Sequence, residues 1–567
     1  MRYMKKASFL LMILFITGLS SCKKFLEEEN LSGITSENFY KDAAGYEKLI
    51  NACYSSLRDV YHGDPMLFEW GTDMTTRGEF EAVSGTVGDR VIRATQLNEY
   101  RTLSADNSAI SSFFARLYSG IQRCNTAINR APAIPDLSET LRNKRVAEAR
   151  FLRAYLYYLL VENFGGVAIV QQEMDTPVTH FVPASEQEVY SFIIDELNAA
   201  ATGVDVTTTE FGRVTQGAVK HLLSLIHLTR GYKSFAAADD FAKSAQYAEE
   251  VISSGNYALL GSFADVFRHD NQKNREILFS VQYDPASLQK DNDNLNGHGQ
   301  NIHFGWRIFR ERGFFDGETA MYNRRASDFM PTQFLYTLYN TNRDARYDVT
   351  FLSEFYAVRD DGTIKKGDLR FYFPKPDQSF TAADSIALKT ANPHVEIIRF
   401  DKWKQDFDGI GGALKFPMIN KFFDPLAASA GSNEDLYKST RDIFMFRLAE
   451  TYLIAAEAYF NAGQLDLAAA KLNAVRARAA IGGQSMDIAS AQVTLDFILD
   501  ERARELVGEY KRWLDLKRTR RLDRAFEHNI LTKMTNPGGV EDKYYLRPIP
   551  QTVLDRDTEG YPQNPGY

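Results

Sequence analysis

The chain of 567 residues is poor in sulfur and tryptophan, with three cysteines and four tryptophans. Cys22 stands at the end of an apolar N-terminal run, which leaves only Cys53 and Cys124 for the rest. So sparse a set excludes a disulfide-stapled scaffold and a cysteine-rich metal domain. One Cys53–Cys124 bridge or two buried thiols both stay open, because spacing alone does not establish a bond. No apolar run reaches the about 20 residues that a membrane-crossing helix needs. Long basic runs are missing too, and the formal charge is −8, so nucleic acid is excluded as a partner. There is no G-x-S-x-G, H-E-x-x-H, Walker loop or G-x-G-x-x-G. "GIGGAL" at 409–414 lacks the final glycine and reads as a loop. No enzyme, catalytic residue, metal site or cofactor is expected.

What is present starts at the N-terminus. Arg2, Lys5 and Lys6 precede an apolar stretch over 7–17, the pattern of an export signal. Leu19, Ser20 and Ser21 lead into Cys22 and resemble a bacterial lipobox, in which the thiol receives lipid. The alternative is a plain signal with a chance cysteine. Residues 1–21 then form a lipoprotein signal peptide and 22–42 a lipid anchor and polar linker. The mature protein is expected to be anchored to a membrane without spanning it. Loss of the three cations of the signal lowers the net charge to −11.

From residue 43 the pattern turns helical. Leu49, Cys53 and Leu57 share one stripe, and a second helix is expected over 108–130. The stretch "ETLRNKRVAEARFLRAYLYYLLVEN" (139–163) carries two adjacent apolar stripes, so it should be buried against at least two neighbours. Gly165 and Gly166 should stop it. Further helices are expected over 186–201, 215–235 and 239–254. Residues 43–257 thus form an N-terminal helical scaffold.

Over 258–440 Asn, Asp, Gly and Pro become frequent and the periodicity fades. This region reads as a large loop-rich insertion with short strands at 276–283 and 395–403. Helices return over 441–567. Phe444, Leu448, Tyr452, Ala455 and Tyr459 read as one helical stripe, a second helix covers 465–480, and a last one 491–517. Ala456, Tyr459, Gly463, Ala468 and Leu472 are spelled like a tetratricopeptide repeat. The expected class is therefore mainly α: a tetratricopeptide-like helix-pair scaffold with a loop-rich insertion.

Five phrases then carry a family resemblance: the lipobox at Cys22, 148–170, 446–479, "ILDERARELVGEYKRWLDLKRTRRL" at 498–522, and the tail "LRPIPQTVLDRDTEGYPQNPGY" at 546–567. In order and over nearly the whole chain, they resemble the SusD/RagB family of nutrient-binding outer-membrane lipoproteins. Val507 to Glu509 depart from it, reading Val-Gly-Glu inside an expected helix where the family usually reads aromatic-Glu-Gly. The resemblance implies a SusD-like fold and a position on the outer leaflet of an outer membrane, facing the exterior. It also implies a partner, a SusC-type TonB-dependent barrel transporter, to which an oligosaccharide is delivered. A peptide-binding RagB-like protein is the runner-up, and a helical-repeat protein scaffold the third reading.

Candidate contacts follow from the chemistry of sugars. A sugar ring offers an apolar face to an aromatic ring, and charged or amide groups read its hydroxyls. Aromatics make up 13% of the chain. Trp70, Trp306 and Trp403 lie outside the repeat-like helices, and Asp73, Arg77, Asn301, Arg307 and Asp401 are their polar neighbours. Trp513 is assigned to packing. The cluster Glu501, Arg502, Arg504, Glu505 and Glu509 has the spacing of helix ion pairs. "DNDNLNGHG" has an EF-hand-like start at Asn292, Asn294 and Asn296, but His303 stands where the bidentate glutamate belongs, so a solvated turn is the reading. His298 and His303 lack an evident third metal ligand.

Overall fold

A computed structural model describes residues 40–63, 65–78, 89–174, 176–284, 297–315, 322, 328–402, 414–427 and 438–567. Cys22, Trp403, the Asn292–Asn296 loop start and nearly all of the 409–414 loop lie outside these residues. The fold is mainly helical, with short strands in the insertion.

Six long helices are described before the insertion: α1 (Ala43–Gly63), α2 (Ser108–Arg130), α3 (Glu139–Phe164), α4 (Glu186–Gly203), α5 (Gln216–Arg230) and α6 (Asp240–Ile252). Their ends follow local chemistry. Asn107, Ser138, Ser185 and Thr215 each cap the helix after them by accepting from a first-turn N–H. Gly165 takes φ 73° and stops α3, where an L side chain would be strained. α3 is the central helix, buried without a break from Ala147 to Phe164 apart from Arg150. It packs between α2 and α4, and α4 packs on α5.

Nine short strands are described: β1 (Thr75–Arg77), β2 (Ile277–Val281), β3 (Phe329–Pro331), β4 (Phe351–Leu352), β5 (Glu354–Tyr356), β6 (Leu369–Tyr372), β7 (Glu396–Ile397), β8 (Met418–Ile419) and β9 (Ile443–Arg447). Two pairings fix the insertion to the frame. β2 and β9 run antiparallel and tie its entrance to its exit. β1 and β3, more than 250 residues apart, pair Thr75 with Pro331 and Arg77 with Phe329. Within it, β5 and β6 are antiparallel and β6 and β7 parallel.

The C-terminal part holds α7 (Leu448–Asn461), α8 (Leu465–Ala479), α9 (Leu495–Leu506), α10 (Arg512–Arg518) and α11 (Asp523–His528). α7 and α8 form the helix pair expected from the repeat-like spelling, with Ala449, Leu453, Ala456, Ala468 and Leu472 packed together. Three expectations are corrected. Phe444 lies on strand β9, and the helix begins only at Leu448. The single helix expected over 491–517 is two, because Gly508 and Tyr510 take positive φ and break the chain between α9 and α10. A Cβ at Gly508 would also meet the Phe422 ring at 2.6 Å. The strand expected over 395–403 shrinks to Glu396–Ile397.

Candidate functional site

The predicted contacts fall into two groups. Trp70, Asp73, Asn301 and Trp306 are buried, each at most 1% exposed. Trp70 donates from Nε1 to the Asp328 carbonyl at 3.1 Å and packs edge-on against Phe329. Asp73 is held by Arg512 at 2.6 and 2.7 Å and by Arg524 at 2.8 Å. Burial pushes its carboxyl up, but the two guanidinium groups outweigh it and hold it well below the usual range. Trp306 donates from Nε1 to the Phe416 carbonyl at 3.0 Å, with Phe371 and Phe355 edge-on at 5.2 and 5.5 Å. Trp70 and Trp306 show no surface on which a sugar could stack, Asp73 is engaged by its two arginines, and Asn301 is buried.

The other group lies nearer solvent. Arg77 pairs with Glu99 at 2.7 Å on the β1 edge. Arg307 is half-buried, and exposed Asp401 lies 3.5 Å from Arg399. Of the eight predicted residues, Trp403 lies outside the described ones and the other seven divide between these two groups.

The buried Trp306 nevertheless locates a surface. It plugs the inner side of the β5–β6–β7 sheet, so alternate residues of β5 face outward. Phe355 points in, while Glu354 and Tyr356 point out. Tyr356 is 38% exposed. Its backbone N–H donates to the Tyr322 hydroxyl at 2.6 Å, and its phenol donates to Glu354 at 2.5 Å. The Gly313–Phe315 segment runs alongside, its Gly313 carbonyl accepting from Val358 N–H at 2.9 Å. Phe315 is 49% exposed, and the Arg359 guanidinium sits 4.7 Å from its ring centre. An exposed ring braced by a cation on a sheet edge presents an apolar platform beside charged donors. Neither Phe315 nor Tyr356 could be singled out among 39 Phe and 29 Tyr in the sequence. Only the strand alternation of "EFY" hinted at an outward Tyr356.

A cavity of about 700 Å³ opens elsewhere, between α1, α2, the 210–213 segment and β2. Its cations are largely committed: Arg123 to Asp59 at 2.8 Å, Arg213 to Glu148 at 3.1 Å, and Arg58 to the Gln282 carbonyl at 2.8 Å. The Glu501–Glu509 cluster is buried rather than superficial. Glu501 meets Arg346, Arg476 and Arg504, each at 2.7 Å, and Glu509 meets Arg447 and Lys421. Cys53 and Cys124 are buried free thiols. Among the described residues no group of three or more His, Cys, Asp or Glu is placed to hold a metal. His298 sits against the Arg441 carbonyl, and His303 pairs with Asp328 at 2.6 Å. None of the described helices is long and apolar enough to cross a membrane.

Two family models match the chain. The SusD family covers residues 275–567, and "Starch-binding associating with outer membrane", a SusD-like family, covers 24–228. The chain belongs to the SusD family. Proteins of this family are non-catalytic binding proteins associated with the outer membrane. SusD-like protein P2 of Formosa agariphila is 26% identical over 99% of both chains. The starch-binding protein SusD of Bacteroides thetaiotaomicron is 26% identical over 80% of this chain and 78% of its own. Among solved structures, a laminarin binding SusD-like protein superposes with a TM-score of 0.69 at 23% identity, covering 93% of this chain and all of its own. That likeness shows the SusD fold.

Proposed function

We propose that this SusD-family protein captures an oligosaccharide at the cell surface and passes it to a SusC-type TonB-dependent transporter. The observation that carries the reading is family membership across both halves of the chain, joined to an exposed aromatic platform on the insertion. Phe315, braced by Arg359, and Tyr356 stack on the apolar faces of sugar rings. Arg359 and Glu354 read the hydroxyls. Arg77, Arg307, Asp401 and Trp403 stay among the proposed ligand contacts. Lipid on Cys22 tethers the protein to the outer leaflet, with 23–42 as the leash.

Calorimetry on the purified chain with α-glucan and β-1,3-glucan oligosaccharides and with peptides tests this. The expected outcome is binding of at least one oligosaccharide, weakened roughly tenfold by Phe315→Ala, about 1.4 kcal/mol, within the range for an aromatic contact. Peptide binding without oligosaccharide binding would replace the reading by the RagB-like one. Cys22→Ala should release the chain from membranes while leaving ligand affinity unchanged. Co-purification with a SusC-type barrel tests the partner, and failure to co-purify with one would count against it.

A further inference from the structure

A second cavity, about 320 Å³, lies between the first turns of α2, the 168–181 segment after α3, and the C-terminal tail. Its wall is mostly carbon, from Phe114, Tyr118, Val178, Phe181 and Tyr561. The wall is fastened in place. Asp557 accepts from Phe181 N–H at 3.0 Å, lies 2.8 Å from His180 Nδ1, and accepts from Glu559 N–H at 3.1 Å. Thr558 N–H donates to the Thr179 carbonyl at 2.9 Å, and the Ser111 and Thr552 hydroxyls are 3.1 Å apart. The segment, the tail and α2 are thus tied together around the cavity.

Two polar groups on its lining are left over. Tyr561 is 8% exposed; the Ala168 backbone lies against its hydroxyl, and no acceptor among the described residues takes its proton. The Ala168 carbonyl nearby already accepts from the Tyr118 hydroxyl at 2.9 Å and from Tyr157 at 3.5 Å. A buried hydroxyl whose proton has no acceptor is costly, so it marks a place for a ligand acceptor. Arg556 lines the mouth, is exposed, and makes no side-chain hydrogen bond or ion pair among the described residues. The Asp557 carboxylate beside it is engaged by His180 and two N–H groups, which leaves the Arg556 guanidinium without a bonded carboxylate among the described residues.

We propose that this cavity binds a small amphipathic anion, distinct from the glycan. An apolar ring seats against Phe114, Tyr118 and Phe181, and a carboxylate pairs with Arg556, one of its oxygens accepting from the Tyr561 hydroxyl. A sugar does not fit this lining, because its ring of hydroxyls would be buried against carbon without partners. The volume, at the lower end for ligand pockets, suits one ring rather than a chain.

Calorimetry on the purified chain with 4-phenylbutyrate and its neutral isostere 4-phenylbutyramide tests the proposal. The carboxylate should bind at least tenfold more tightly than the amide. Arg556→Gln, at an exposed and unpaired position, should bring the carboxylate down to the level of the amide while the melting temperature stays unchanged. Tyr561→Phe should weaken both ligands several-fold. Failure of both ligands to bind below millimolar concentration overturns the proposal, as does an unchanged carboxylate preference in Arg556→Gln. Loss of oligosaccharide binding in Tyr561→Phe would also overturn it, by assigning the cavity to the glycan site.

Discussion

Between β9, α7 and α9 the helical frame buries charge, whereas the insertion around Trp306 buries rings. In the frame, Arg447 reaches Glu505 at 2.6 Å, Glu509 at 2.7 Å and Glu276 at 3.0 Å, all with side chains at most 3% exposed. In the insertion, Trp306 meets Phe355 and Phe371 edge-on, with Phe314 and Tyr322 behind them. The two fillings behave differently. A buried ion network adds little net stability over an apolar one, but it tolerates only one arrangement and is costly to break on one side. Aromatic packing is less directional and depends on volume. The frame therefore holds β9 and α9 in one register, while the insertion presents a wall whose outer residues can vary.

The largest effect is expected where the charge network loses one arm. Arg447→Met leaves Glu505 and Glu509 undercompensated and should cost roughly 3–5 kcal/mol in denaturant unfolding. A cost under about 1 kcal/mol would mean that the network is not a structural unit. Trp306→Ala should cost about 3 kcal/mol through the cavity it leaves. Its damage should stay local: hydrogen exchange should speed up over 351–373 and remain slow in α3. Fast exchange in α3 would erase the distinction between the two regions. Phe315→Ala, at a half-exposed ring, should leave stability within about 0.5 kcal/mol while oligosaccharide affinity falls.

The comparison is sharpened last through pH. Glu505 is pushed up by burial, but Arg478, Arg447 and Arg346 outweigh this and hold it down to about 2. Its contribution is full above the unfolded value of about 4.5 and is lost as pH falls through about 2. Glu69 behaves oppositely. Burial pushes its carboxyl up to about 8, although Tyr510 N–H and Thr75 pull it down. The folded state keeps a proton that the unfolded chain releases near 4.5, so this group costs stability as pH rises from about 4.5 to 8. Glu69→Gln should flatten the decline in unfolding free energy between pH 5 and 8, by at most about 1.4 kcal/mol per pH unit. An unchanged slope would mean that Glu69 is already ionised in the fold.

Much of the frame was legible because its signals are local. Capping residues, apolar stripes and Gly165 lie within a few residues of the helix ends they specify. The misread places were those decided at a distance. "IFMFR" has helix-like spacing, yet it becomes β9 because β2, more than 160 residues earlier, offers an antiparallel partner. The 491–517 stretch keeps its period across Gly508, but Phe422 and Phe304 fill the space where a side chain would go. The site was the least legible part. Tryptophans stood out by rarity, and rarity says nothing of direction: Trp70 and Trp306 turned inward because their N–H groups found carbonyls in a dry core.

The sequence by itself determined the helical class, the repeat-like pair at α7 and α8, the family resemblance, and the candidate anchor at Cys22. Each rests on patterns that a few dozen consecutive residues can hold. Only the tertiary structure decided that β1 pairs with β3, that the Glu501–Glu509 cluster is buried, and that Phe315 and Tyr356 rather than Trp70 and Trp306 face solvent. Those outcomes depend on which distant segments compete for the same interior volume, and no local pattern encodes that competition.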